Sequence, residues 1–125
     1  SYGLKSTAGD YLRFEQMLVN GGELFGNSLL SPETVSLMSS NQVGDLFSAI
    51  PGVNGQGFGY TVATTEDPIA SKQGRSQGAF GWTGALGTRS WSDPAEELTA
   101  VIMIQQSELS VVRDFEHAVY QAIRD

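Results

Sequence analysis

GAFGWTGALGTRSWSDP, residues 78–94, is the stretch on which the reading of this chain turns. It reads as two strands and a tight joint: strand-like 78–82, strand-like 86–92, then a turn at Asp93-Pro94. Four glycines share it with Phe80, Trp82 and Trp91. Glycine inside a strand weakens it and marks places where a ligand or another backbone comes close. Trp82-Thr83-Gly84 therefore raises the question of what approaches its backbone.

More strands lie on either side. In GFGYTVAT, 57–64, Phe58, Tyr60 and Val62 alternate with small or polar residues, the period of a half-buried strand. LTAVIMIQQ, 98–106, is an apolar strand. Consecutive strands with short joints pair antiparallel.

Helices flank the strands. Residues 6–20 form an amphipathic pattern, with Thr7 as N-cap and Asp10 completing a capping box. Its apolar side is Tyr11, Phe14, Met17 and Leu18, and Gly21-Gly22 ends it. A short second helix starts at Ser31, with Pro32 at its first position, Glu33 at its positive end, and Val35 and Met38 inward. Residues 42–56 read as a loop, Asp67-Pro68 as a turn, and 70–77, ASKQGRSQ, as a polar, flexible stretch. A last helix begins near Val111, capped by Ser110, with Val112, Phe115, Val119 and Ile123 as its apolar stripe. Two helices, a run of strands and a closing helix predict an α+β fold: an antiparallel sheet with flanking helices, the last covering one face. Residues 1–125 read as a single segment without internal repeats.

Composition narrows the function. The net charge is −7, with 14 acids against 7 bases, which argues against nucleic acid and anionic membrane surfaces as partners. There is no cysteine, hence no disulfide and no thiolate metal site. The longest clean apolar run, Ala100 to Ile104, is far short of the roughly 20 residues of a membrane span. No stretch of this sequence reads as a signal peptide. The chain starts at Ser1 instead of methionine, which suggests a processed product or a piece of a longer polypeptide.

Three segments together resemble one family. Residues 3–42, GLKSTAGDYLRFEQMLVNGGELFGNSLLSPETVSLMSSNQ, are similar to the helical stretch before the third motif of serine β-lactamase-like hydrolases. That family includes class C β-lactamases, D-alanyl-D-alanine carboxypeptidases and esterases of the same fold. GFGYTV resembles its next strand, and residues 78–94 resemble the third-motif strand and its successor. The resemblance implies the C-terminal part of a β-lactamase/transpeptidase-like fold, acyl transfer through a serine ester, and no cofactor or metal. The third motif is Lys-Thr-Gly, with His or Trp first in esterase-like members, so it falls here on Trp82, Thr83 and Gly84 as substrate-binding residues. The Ala85 backbone N–H is implied as a catalytic oxyanion donor. Small residues would then leave room for the tetrahedral intermediate.

Trp82 departs from the lysine, which would pair with a substrate carboxylate. Indole offers an apolar face and one N–H, which favours neutral esters over β-lactams and peptidoglycan peptides. The family's nucleophile, Ser-x-x-Lys, is absent: Tyr2 stands three residues before Lys5, and Ile69 before Lys72. Ser39-Ser40-Asn41 spells the second motif but sits at a helix end, where capping explains it. The implied partners are a small ester or amide substrate and the missing N-terminal part of the domain or a partner chain, with a homodimer as one form. Periplasmic or secreted placement is common in the family. The alternative class is a non-catalytic α+β interaction or ligand-binding module.

Other patterns have plainer readings. Gly74-Arg75-Ser76-Gln77-Gly78 spells a nucleophile elbow but lacks the strand before and helix after that the elbow needs. His117 reads as a helix-surface residue. Gly55-Gln56-Gly57-Phe58-Gly59 opens no helix, so it is a loop entering a strand and not a dinucleotide fingerprint. Asp93, Glu96 and Glu97 read as solvated turn charges, and no His/Cys set suits zinc.

Overall fold

Thr7 starts the first helix, α1 (Ala8–Val19), by accepting the Asp10 backbone N–H at 3.1 Å while its hydroxyl donates to the Asp10 carboxylate at 2.9 Å. The computed structural model describes residues 3–105 and 108–123. At its other end Gly21 and Gly22 take positive φ values of 70° and 98°, and their N–H groups return to Leu18 and Met17. This is the glycine-dependent C-cap that closes a helix on its last carbonyls.

A hairpin of β1 (Glu23–Leu24) and β2 (Asn27–Ser28) leads to α2 (Pro32–Met38), whose Ser31 cap accepts the Thr34 N–H. A single 3-10 turn, Gly44–Leu46, interrupts the following loop. Then come β3 (Gln56–Phe58), β4 (Ala63–Thr65) and a one-turn helix, α3 (Pro68–Ser71). Strands β5 (Phe80–Thr83), β6 (Arg89–Asp93) and β7 (Leu98–Ile102) follow, and α4 (Leu109–Ala122) closes the described chain. The five long-range strands form one antiparallel sheet in sequence order, β3-β4-β5-β6-β7. The α+β expectation holds.

The register separates two cores. Phe80, Ser92 and Thr99 align across β5, β6 and β7, and so do Gly81, Trp91 and Ala100. Neighbouring positions on a strand face opposite sides. On one side Phe80 packs with Met17 and Leu18 of α1 and Val35 of α2. On the other, Trp91 and Ala100 pack with Tyr120, Phe115 and Val119 of α4. The sheet is thus sandwiched between α1 and α4.

Several expectations are corrected. Stretch 57–64 is two strands, because the chain turns back at 59–62, where Gly59 N–H meets the Val62 carbonyl at 2.8 Å and Thr61 has φ 79°. Alternating Phe58, Tyr60 and Val62 run across that turn, and Tyr60 is exposed. Asp67-Pro68 begins α3, the Asp67 side chain accepting the Ile69 and Ala70 N–H groups. Strand β7 ends at Ile102, and residue 106 of the expected strand lies outside the described residues. On α1 the buried positions are Glu15, Met17 and Leu18, while Phe14 is exposed beside Tyr11. Glu15 is inward because the Ser92 hydroxyl donates to its carboxylate at 2.7 Å. On α4 the N-cap position is Glu108, which accepts the Ser110 hydroxyl; the stripe runs through Val112, Glu116 and Tyr120, and Ile123 is exposed. Among the described residues no helix is long and apolar enough to cross a membrane.

Candidate functional site

Strand β5 is paired on both sides only in its first half. β4 meets it at Thr64–Phe80 and Ala63–Gly81, whereas β6 follows it as far as Thr83–Arg89. Beyond Gly81 one side of β5 therefore has no strand partner among the described residues. Trp82 stands at that side, 46% exposed, with its ring edge-on to Phe58 at 5.1 Å and tilted against Phe47 at 6.5 Å. The strand then enters a tight hairpin, with Gly84 N–H to the Thr88 carbonyl at 2.7 Å and Gly87 N–H to the Gly84 carbonyl at 3.1 Å. Ala85 and Leu86 form the exposed tip. Among the described residues the Ala85 N–H has no hydrogen-bond acceptor.

The glycines of this stretch have packing reasons of their own. A Cβ on Gly81 would collide with the Ser90 carbonyl oxygen and the Trp91 backbone, and one on Gly84 with the Thr88 hydroxyl. The backbone that comes close at Gly81 belongs to the partner strand β6.

Beside Trp82 and Thr83 the surface opens into a cleft of about 310 Å³ between β5, the segment after α3, and α4. Phe47 and Trp82 line one part, and Arg75, Arg89 and Glu116 another. Arg75 is only 7% exposed, forms an ion pair with Glu116, and lies with its guanidinium 4.7 Å from the Trp91 ring centre. Arg89 reaches the same Glu116 carboxylate at 3.6 Å. Burial lowers the Arg89 guanidinium from its usual range; Glu116 opposes the shift and the Arg75 charge adds to it.

Behind Arg75 a polar relay ties the loop to sheet and helix. Asp93, fully buried, accepts the Ser76 backbone N–H at 2.9 Å and the Tyr120 hydroxyl at 2.6 Å. Trp91 Nε1 donates to the Tyr120 oxygen at 3.3 Å. Burial and the Asp93 carboxylate push the Tyr120 hydroxyl far above its ordinary range, so it is a hydrogen-bond donor at all working pH. Asp93 is thus no solvated turn charge, and residues 70–77 are anchored where the sequence suggested a flexible stretch. Sequence reasoning missed Arg75, Asp93, Glu116 and Tyr120. The available signal was the spacing Val112, Glu116, Tyr120, one helix face carrying an acid among apolar residues.

The rival patterns resolve as follows. Ser76 lies between α3 and β5, with its N–H held by Asp93, so the elbow's strand–turn–helix setting is missing. His117 is exposed on α4. Ser39 is the C-cap of α2, and Asn41 organises the loop, accepting the Val43 and Phe58 N–H groups. Residues 56–58 are strand β3, and no helix follows them directly.

Comparison with known proteins places this fold. Two Mycobacterium tuberculosis proteins, the uncharacterized protein MT1414 of strain CDC 1551 and protein Rv1367c of strain H37Rv, are each 39% identical over 118 residues. The match covers 87% of this chain and 29% of theirs, so the chain spans under a third of the relatives' length. Among solved structures, EstCE1, a hydrolase with promiscuous acyltransferase activity, superposes with a TM-score of 0.75 at 26% identity, over 90% of this chain and 29% of that one. Simvastatin synthase (LovD) from Aspergillus terreus gives 0.69 at 22%, over 94% and 35%. A penicillin-binding protein homolog from Caulobacter crescentus gives 0.66 at 22%, over 92% and 32%. The last two identities speak for the fold alone. The sequence profile of the Beta-lactamase family matches residues 1–122, and with these fold neighbours it shows that the chain belongs to that family, as the C-terminal part of its fold.

Proposed function

We propose that this chain is the third-motif wall of an acyl-transfer serine hydrolase of esterase or peptidase type, with the nucleophile and its base on another segment. The observation that carries the reading is the Ala85 N–H, left without an acceptor at the open end of β5 next to the half-exposed Trp82. A preorganised backbone donor aimed at a developing oxyanion is worth about 3 kcal/mol of barrier. In the reaction a serine oxygen bonds to the substrate carbonyl carbon, and the carbonyl oxygen takes up negative charge against Ala85 N–H. The alcohol or amine leaves with a proton, and water then cleaves the serine ester. Trp82, Thr83 and Gly84 border the substrate. The aromatic surroundings of Trp82 favour neutral esters, whose apolar part they take up, over esters that would set a carboxylate on the indole itself. The hydrolase and acyltransferase activity in the name of EstCE1 supports this chemistry.

The chain by itself contains no Ser-x-x-Lys and is therefore inactive by this route. A fluorophosphonate probe followed by intact-mass measurement tests that: no serine should be labelled, Ser76 included. The wider reading is tested in the full-length gene product, which should be labelled once, at a serine upstream of this segment, and should hydrolyse p-nitrophenyl esters. An unlabelled, inactive full-length protein would leave the second reading, a ligand-binding module, which the cleft beside Trp82 favours.

A further inference from the structure

Charge is distributed unevenly in this acidic protein. Four of its seven Lys and Arg residues, Lys72, Arg75, Arg89 and Arg113, line the one cleft beside Trp82, against a single lining carboxylate, Glu116. The cleft therefore carries a local charge near +3 in a chain of −7. Glu116 serves both Arg75 and Arg89, while Lys72 and Arg113 form no ion pair among the described residues. Arg75 is almost wholly buried, and its Nε has no acceptor there. Buried cations without enough counter-charge are costly unless a partner satisfies them. Lys72 is held at the rim by a left-handed backbone, φ 57°, at the end of α3. Burial is the main cause that lowers the Arg89 guanidinium, and the neighbouring Arg75 charge adds to it.

The other part of the cleft is apolar, formed by Phe47, Val53 and the Trp82 ring. Thr83 and Arg89 are paired across β5 and β6, so the aromatic and cationic parts adjoin along the sheet.

We propose that this cleft binds an amphiphilic organic carboxylate, its anionic head among Lys72, Arg89 and Arg113 and its aryl or branched apolar body against Phe47 and Trp82. Arginine forks match carboxylates with two parallel hydrogen bonds, and the aromatic part takes up the body that a bare anion lacks. The site shares Trp82 with the acyl-transfer reading but needs no serine nucleophile, so binding is tested without turnover and its failure is distinguishable from the failure of that reading.

The test is a titration of this 125-residue chain, followed by amide and indole NMR signals, with 4-phenylbutyrate, 4-phenylbutan-1-ol, acetate and inorganic phosphate. Phenylbutyrate should give saturable shifts at the Trp82 indole and around Arg89, and its affinity should fall several-fold between about 20 and 200 mM salt. The alcohol, acetate and phosphate should each bind about tenfold more weakly or worse. Lys72 and Arg113 are exposed, so Lys72→Ser with Arg113→Ser should keep the spectrum outside the cleft and lose about tenfold in phenylbutyrate affinity. Phe47→Ser should lose affinity without changing the salt dependence. The proposal is overturned by an alcohol or a phosphate ion binding as tightly as phenylbutyrate. It is equally overturned by unsaturable shifts at 10 mM ligand or by an unchanged affinity in a folded double variant.

Discussion

Arg75 and Glu116, 41 positions apart, meet as a buried ion pair that joins the segment before β5 to the middle of α4. The guanidinium lies over Trp91, and the residue after it hangs its N–H on Asp93. The pair therefore fixes where β5 begins, and with it the position of Trp82 and Ala85.

Removing one partner should be much worse than removing both. Glu116→Leu leaves the Arg75 charge buried without a counter-charge and should cost about 3–5 kcal/mol. Arg75→Met with Glu116→Leu replaces the pair by apolar volume and should recover most of that loss. Urea denaturation followed by circular dichroism measures both. Equal destabilisation of single and double variants would show that the segment is held by something other than this pair.

The hairpin that carries Ala85 makes a second, sharper case. A Cβ on Gly84 would meet the Thr88 hydroxyl oxygen, while the next nearest atom, Thr88 Cβ, lies at 3.5 Å. Gly84→Ala should therefore cost about 1–3 kcal/mol as an overpacking change. Adding Thr88→Ala removes the colliding atom and should restore most of the stability, a coupling of about 1 kcal/mol or more in a double-mutant cycle. Additive losses would mean that Gly84 is required for another reason.

These two cases also show what could be read without coordinates. The capped helix starts at Thr7 and Ser31, the Gly21-Gly22 stop and the antiparallel strand order were legible, because caps, glycine stops and short joints are local effects. The strand that carries Trp82, followed by a tight joint, was legible too, although the strand runs on to Thr83 and only Gly84 begins the hairpin. Arg75 and Asp93 were misread because a charged residue in a polar stretch or turn looks solvated until the chain that neutralises it is known. Their partners, Glu116 and Tyr120, lie 41 and 27 positions away. The hairpin inside 57–64 was hidden for a related reason: Tyr60 N–H is held by the Met38 carbonyl, a contact made by α2 and not by the strand's own pattern.

Glu15 should give the fold a pH dependence of its own. Burial raises its pKa above the ordinary 4.5, opposed by the Ser90 and Ser92 hydroxyls and then by Arg75. In the folded state the carboxyl holds its proton to higher pH than in the unfolded chain. Unfolding stability therefore falls as pH rises from about 4.5 through the folded pKa, and levels off above it. Glu15→Gln keeps a neutral side chain of the same shape and removes this slope. The variant should match the parent near pH 4 and exceed it at pH 7, as measured by thermal or urea unfolding across that range. A variant less stable than the parent at pH 7 would show that the charged carboxylate, bonded to Ser92, stabilises the fold.

In the full-length protein Trp82 should set substrate class, and Ala85 should serve the chemistry. In the proposed reading Trp82 takes the first place of the third motif, where a lysine would offer a cation, and its ring is half exposed against Phe58 and Phe47. Trp82→Lys exchanges an apolar face for a carboxylate partner, and the charge-assisted hydrogen bond gained is worth about 1.5–3 kcal/mol. Relative kcat/KM should shift about ten- to hundredfold toward a carboxylate-bearing ester over a neutral one. The lost aromatic contacts should cost about 1 kcal/mol of stability. Ala85→Pro removes the N–H itself and should lower kcat about a hundredfold on every substrate. Because Ala85 sits at the exposed tip beyond β5, the strand register should survive the proline, and circular dichroism checks that it does. A folded Trp82→Lys variant without activity on either ester would place the indole in the reaction itself, since the backbone donor at Ala85 is untouched by that change.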